Sequence, residues 1–139
     1  MHFSIIPFLL VSGYVVTISR SMLNERYKKR LILSVVSLIL GIVFEIFSKE
    51  EKRFSYIVFG LLPLLYLFYY EILRIIFMPL IGKFPYLPYR EKIGAKVLGY
   101  DYPKNRKVKL ADYIFGMTLI FLPLITMLFL GILLNNYFK

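Results

Sequence analysis

Four long apolar runs, separated by charged intervals, set the plan of this chain. The first extends from Phe3 to about Ser19, the second from Leu31 to Phe47, the third from Phe54 to about Met78, and the fourth from about Ala111 to Leu134. At 1.5 Å per helical residue, a run of about 20 residues crosses the roughly 30 Å hydrocarbon layer of a bilayer. The runs therefore predict helices over about 3–20, 31–48, 54–78 and 111–134, in one membrane domain covering 1–139. Pro7 falls in the first turns of its helix, where a missing amide hydrogen costs least, and Pro79 and Gly82 close the third.

The second run is followed by a short charged hairpin, Ser48 to Arg53, and the third by the longest polar interval, 82–110. Within that interval Tyr89 to Leu98 follows Pro88 and precedes Gly99, placing Tyr89, Ile93 and Val97 on one helical face. The pattern predicts a short amphipathic helix on the membrane surface, with Arg90, Lys92 and Lys96 reaching head groups, although Gly94 weakens it. Asp101 to Asn105 reads as a turn. The predicted fold class is thus all-α: a polytopic integral membrane protein with four transmembrane helices in an antiparallel bundle and a short amphipathic helix between the third and fourth.

Small and polar residues should mark the faces that touch, because lipid gives apolar side chains no reason to prefer one another. Helical spacing aligns Ser34, Ser37, Gly41, Glu45 and Ser48 in the second helix, and Tyr56, Gly60, Pro63, Leu67, Glu71 and Arg74 in the third. In the fourth helix Asp112, Gly116, Pro123 and Met127 share a line; in the first, Gly13, Thr17 and Ser21 recur at four-residue steps.

Composition agrees with a membrane class. Of 139 residues, 59% are hydrophobic and the mean hydropathy is +0.70, more apolar surface than a single soluble core of this size would absorb. The net charge of +10 then sets orientation. Thirteen Lys and Arg side chains lie in the intervals Arg20–Arg30 and Lys83–Lys109, against four in the short hairpin and at the C-terminus. Basic flanking loops stay on the cytoplasmic side. Both termini are therefore expected outside and both basic loops inside, in a membrane of the bacterial inner, cytoplasmic type. No cationic side chain precedes the first run while Arg20, Arg26, Lys28, Lys29 and Arg30 follow it, the reverse of a cleaved signal peptide.

Candidate chemistry is sparse. Without cysteine, thiolate metal sites, disulfides and thiol nucleophiles are excluded, and the single histidine is His2. No Gly-x-Ser-x-Gly elbow, His-Glu-x-x-His helix or phosphate-cradling Gly-rich loop occurs, so neither a cofactor nor an enzymatic activity is expected. Three residues could handle charge inside the membrane. Glu45 lies about 21 Å beyond Leu31, short of the outer boundary; it would either handle ions or protons, or reach outward to Lys49 or Arg53. Glu71 and Arg74, three apart, can pair near the inner interface.

The remaining surplus of charge lies in Arg90, Lys92, Lys96, Lys104, Arg106, Lys107 and Lys109, interleaved with Tyr100 and Tyr102. This set is expected to dock anionic lipid head groups or an acidic protein partner, and no nucleic acid, since no recognised binding module frames it. The expected function is non-enzymatic: protein–protein interaction, as an accessory or assembly subunit of a membrane complex or as a membrane-resident inhibitor or immunity protein. A homo-oligomer is compatible with this reading. The alternative is an oligomeric ion channel or small transporter using the intramembrane carboxylates.

Overall fold

The computed structural model describes residues 5–16, 25–48, 54–82 and 107–137. Four helices occupy them: α1 (Ile6–Val16), α2 (Glu25–Phe47), α3 (Ser55–Ile81) and α4 (Leu110–Tyr137). Three of these, α2 from Tyr27, α3 and α4, are long and apolar enough to cross a membrane. At 11 residues α1 is about 16 Å long, well under the hydrocarbon thickness, although it is wholly apolar apart from Ser12 and Tyr14. The described residues thus contain three candidate spans and one short apolar helix.

Helix α3 is the hub, packing against each of the other three. Its core face, with Tyr66, Leu67, Tyr70 and Leu73, meets Val15 of α1 and Phe115 and Leu119 of α4. The edge-to-face rings of Tyr70 and Phe77 on Phe115, at centroid distances of 6.0 and 5.7 Å, fix the α3–α4 seam.

The α2–α3 seam is closer still and follows the predicted small-residue stripe. Ser34, Ser37 and Gly41 are buried on α2, and Gly60, Pro63 and Leu67 on α3. A Cβ on Gly41 would lie 2.5 Å from the backbone oxygen of Tyr56, and one on Gly60 would lie 2.8 Å from that of Ser37. Only glycine lets these backbones approach so closely. No lumen passes between the two helices at this level.

The other two predicted faces differ. Gly13 is exposed and a Cβ there would touch nothing; α1 instead buries Phe8, Ser12 and Val15. On α4 the buried line is Asp112, Phe115, Leu119 and Pro123, so two of the four predicted residues belong to it, while Gly116 and Met127 are only partly covered. Boundaries also shift. Helix α2 starts at Glu25, six residues before its apolar run, because the charged segment Glu25–Arg30 consists mainly of good helix formers. Helix α3 continues through Pro79 and ends at Ile81, where Gly82 adopts φ 73° and returns its amide to the Met78 carbonyl.

Candidate functional site

Glu45 is the point at which the predicted chemistry and the fold meet. It sits two residues before the end of α2, and its carboxylate reaches across the hairpin to the start of α3. Oε1 accepts from the Phe54 amide and Oε2 from the Tyr56 amide, both at 3.0 Å. The first amides of a helix have no intrahelical acceptor and carry partial positive charge, so a carboxylate is the favoured group there. Phe54 holds φ 51°, a left-handed conformation uncommon for a residue with a Cβ, and contributes no side-chain cap of its own. The carboxylate of Glu45 takes the place of that missing cap. Its role in the fold is to cap a helix, an alternative to both the ion-handling and the lysine-pairing expectations; Lys49 and Arg53 lie outside the described residues.

Glu71 and Arg74 pair as their spacing predicts. Arg74 donates from Nε at 3.0 Å and from Nη2 at 2.7 Å, and both bonds end on Oε2 of Glu71. The pair is about three-quarters covered. Tyr27, in the first turn of α2, packs against the core cluster.

Sequence reasoning missed two internal roles for charge. Arg30, counted among the loop cations, is inside the second helix and fully buried. Its guanidinium stacks 4.8 Å from the centroid of Tyr14 on α1, and its carbonyl accepts from Ser34 Oγ at 2.8 Å. Lys109, counted among the docking cations, closes the other end of the fold. Its Nζ donates to the Ile81 carbonyl at 3.0 Å, neutralising the C-terminus of α3, and its amide donates to Asp112 Oδ2 at 2.9 Å. Asp112 is fully buried beneath the first turn of α4. Lys107 is exposed. Arg90, Lys92, Lys96, Tyr100, Tyr102, Lys104 and Arg106, and the predicted helix Tyr89–Leu98, lie outside the described residues.

A half-open apolar cavity of about 120 Å³ sits between α1, α3 and α4, with Ser12, Pro63, Tyr66 and Pro123 in its wall. Pro63 and Pro123 lack the amides that would serve the Phe59 and Leu119 carbonyls, so each helix forgoes one backbone hydrogen bond where the cavity lies. The Ser12 hydroxyl is turned to its own helix, donating to Phe8 O at 2.7 Å. Nearby, Tyr69 and Thr126 meet at 2.6 Å. Thr126 already gives its hydrogen to Leu122 O, so Tyr69 is the donor.

Among the described residues, no three His, Cys, Asp or Glu side chains gather as a metal-binding group. No family model, curated protein or solved structure matches the chain.

Proposed function

We propose that this chain is a non-enzymatic integral membrane protein that works by protein–protein interaction, as an accessory or assembly subunit of a membrane complex or as a membrane-resident inhibitor or immunity protein. The observation that carries the reading is Glu45. A carboxylate whose two oxygens each hold an amide of α3 is committed to the fold, and releasing it to carry an ion would uncap that helix. The same logic extends to Glu71, which is paired with Arg74 within α3, and to Arg30 on Tyr14 and Lys109 on the α3 terminus, which use charge to join helices.

In this reading the chain crosses four times, with α1 belonging to the first crossing; the basic end of the molecule faces the cytoplasm of a bacterial-type inner membrane, and both chain termini lie outside. Exposed Lys28 and Lys29 on α2 and Lys107 before α4 lie at that end, where anionic head groups and an acidic partner surface would meet them.

Reconstitution in liposomes separates this reading from transport. Vesicles carrying the pure protein should stay as tight to protons and monovalent cations as protein-free vesicles. Ion flux that disappears in Glu45→Gln, with the variant still folded, would overturn the proposal.

A further inference from the structure

The apolar cavity between α1, α3 and α4 has a definite depth in the membrane. Tyr66 is the twelfth of the 27 residues of α3, and Pro123 the fourteenth of the 28 of α4. At 1.5 Å per residue each lies within about 3 Å of its helix's midpoint, so two spanning helices put the cavity near the centre of the bilayer. Leu124, in its wall, is exposed and marks the mouth. At that depth the surroundings are lipid tails, with head groups about 15 Å away on either side.

The chemistry of the wall narrows what can enter. The Ser12 hydroxyl is committed to Phe8 O at 2.7 Å. Leu119 is fully buried, so the carbonyl that Pro123 leaves without an amide is covered as well. Pro63 and Tyr66 are buried too, and the open surface belongs mainly to the aliphatic side chains of Leu62, Ile120 and Leu124. An occupant therefore meets hydrocarbon almost everywhere. A partner helix fits poorly, because transmembrane helices close on one another through small residues, and among the described residues the wall has no glycine or alanine. The volume of about 120 Å³ is somewhat below that of the roughly 150 Å³ apolar cavity that binds benzene, which leaves room for the last few carbons of a chain.

We propose that this cavity holds the end of one acyl chain of a membrane lipid, recognised by the chain and not by the head group. The gain is van der Waals contact: a void between helices leaves its wall without partner atoms, and a methyl end supplies them. A lipid in either leaflet reaches the site end first, since its terminal methyl is the part that lies at the bilayer centre. Helices α1 and α4 both pack on α3 and border the cavity, so the chain end braces one against the other. The proposal rests on the membrane-spanning character of α3 and α4 and stands apart from the interaction reading.

The test is photolabelling of the full chain in phosphatidylcholine bilayers. The probe is phosphatidylcholine with a diazirine beside the terminal methyl of one chain, and labelled residues are read by peptide mass spectrometry. Ile125 and Leu128 are the controls, exposed on α4 at nearly the same depth but outside the cavity wall. Leu62 and Ile120 are less exposed than these, and all four are aliphatic, so intrinsic reactivity is matched. Leu62 and Ile120 should nevertheless be labelled about threefold more strongly, the scale of a handful of added van der Waals contacts. Ser12→Leu, which fills the cavity, should bring them below the controls and leave the controls unchanged. Phosphatidylglycerol and phosphatidylethanolamine with the same chain should label as phosphatidylcholine does. Labelling of Leu62 and Ile120 no stronger than that of the controls would overturn the site, as would labelling that follows the head group. Cavity labelling of the pure protein that disappears in native membranes would give the cavity to a partner's side chain. Labelling that falls as the protein-to-lipid ratio rises would give it to a second copy, and either result overturns the proposal. If Ser12→Leu does not fold, Leu124→Phe at the mouth replaces it, and unchanged labelling of Leu62 and Ile120 in that variant overturns the site.

Discussion

Gly41 and Gly60 meet backbone to backbone: a Cβ built on either would stand only 3.2 to 3.3 Å from the Cα of the other. This contact sets the distance between α2 and α3, and with it the reach of Glu45 to the amides of α3. The obstacles to a side chain are carbonyl groups and Cα atoms, which cannot rotate aside.

Gly41→Ala should therefore destabilise the fold by about 1–3 kcal/mol, the usual cost of overpacking. Gly13→Ala and Gly131→Ala are the controls, since a Cβ at either meets nothing within 4 Å. Replacing glycine inside a helix should leave these two variants as stable as the parent, or more stable by up to about 1 kcal/mol. Thermal unfolding followed by circular dichroism in mild detergent compares all three.

Loss of the Glu45 cap should cost about 1–2 kcal/mol in Glu45→Ala. Glu45→Gln should fall between that variant and the parent, because one amide oxygen remains to accept while the NH2 group opposes the second amide. Hydrogen exchange provides a local readout. The amides of Phe54 and Tyr56 should exchange faster in both variants, with those near Leu67 changed only as far as global stability falls.

Arg30 and Tyr14 join α2 to α1 through a stacked guanidinium. Lysine keeps the charge but loses the flat face, so Arg30→Lys should weaken the attachment of α1 by about 1 kcal/mol. A cysteine introduced at Val15, which is fully buried, should become more reactive to a thiol reagent in that variant than in the parent background.

Tyr69 and Thr126 form a hydrogen bond between the cores of α3 and α4. Inside a membrane such bonds contribute about 0.6 kcal/mol on average and at most about 1.7. A double-mutant cycle of Tyr69→Phe and Thr126→Val should give a coupling in that range. A coupling of zero would mean that this bond adds nothing to the packing of α3 on α4.

Much of the architecture was legible because two of its signals are local. Apolar run length announced α2, α3 and α4, and four-residue spacing of small residues found the α2–α3 seam, where glycine is required by backbone contact. The same spacing failed on α1. That helix is apolar on every side, so nothing in its pattern distinguishes Gly13 from the face of Phe8, Ser12 and Val15 that packs. Hydropathy also marked where α2 becomes apolar, at Leu31, but helix formation does not depend on hydropathy and begins at Glu25. The charged side chains were the hardest to read. Glu71 and Arg74 are three residues apart and visible as a pair. Glu45 reaches 9 and 11 residues onward, and Lys109 reaches back 28 to Ile81. Those distances exist only once the hairpin and the α3–α4 connection have folded, so the sequence shows the charges without their partners.

The central claim is that the protein acts through a partner in the membrane, and its stoichiometry in a native extract tests that most directly. Tagged protein solubilised in mild detergent, purified and weighed by native mass spectrometry should appear in a fixed ratio with a second polypeptide, lost when the tag is placed on an unrelated membrane protein. A monodisperse species of this chain alone across detergents and expression levels, conducting ions once reconstituted, would contradict the account.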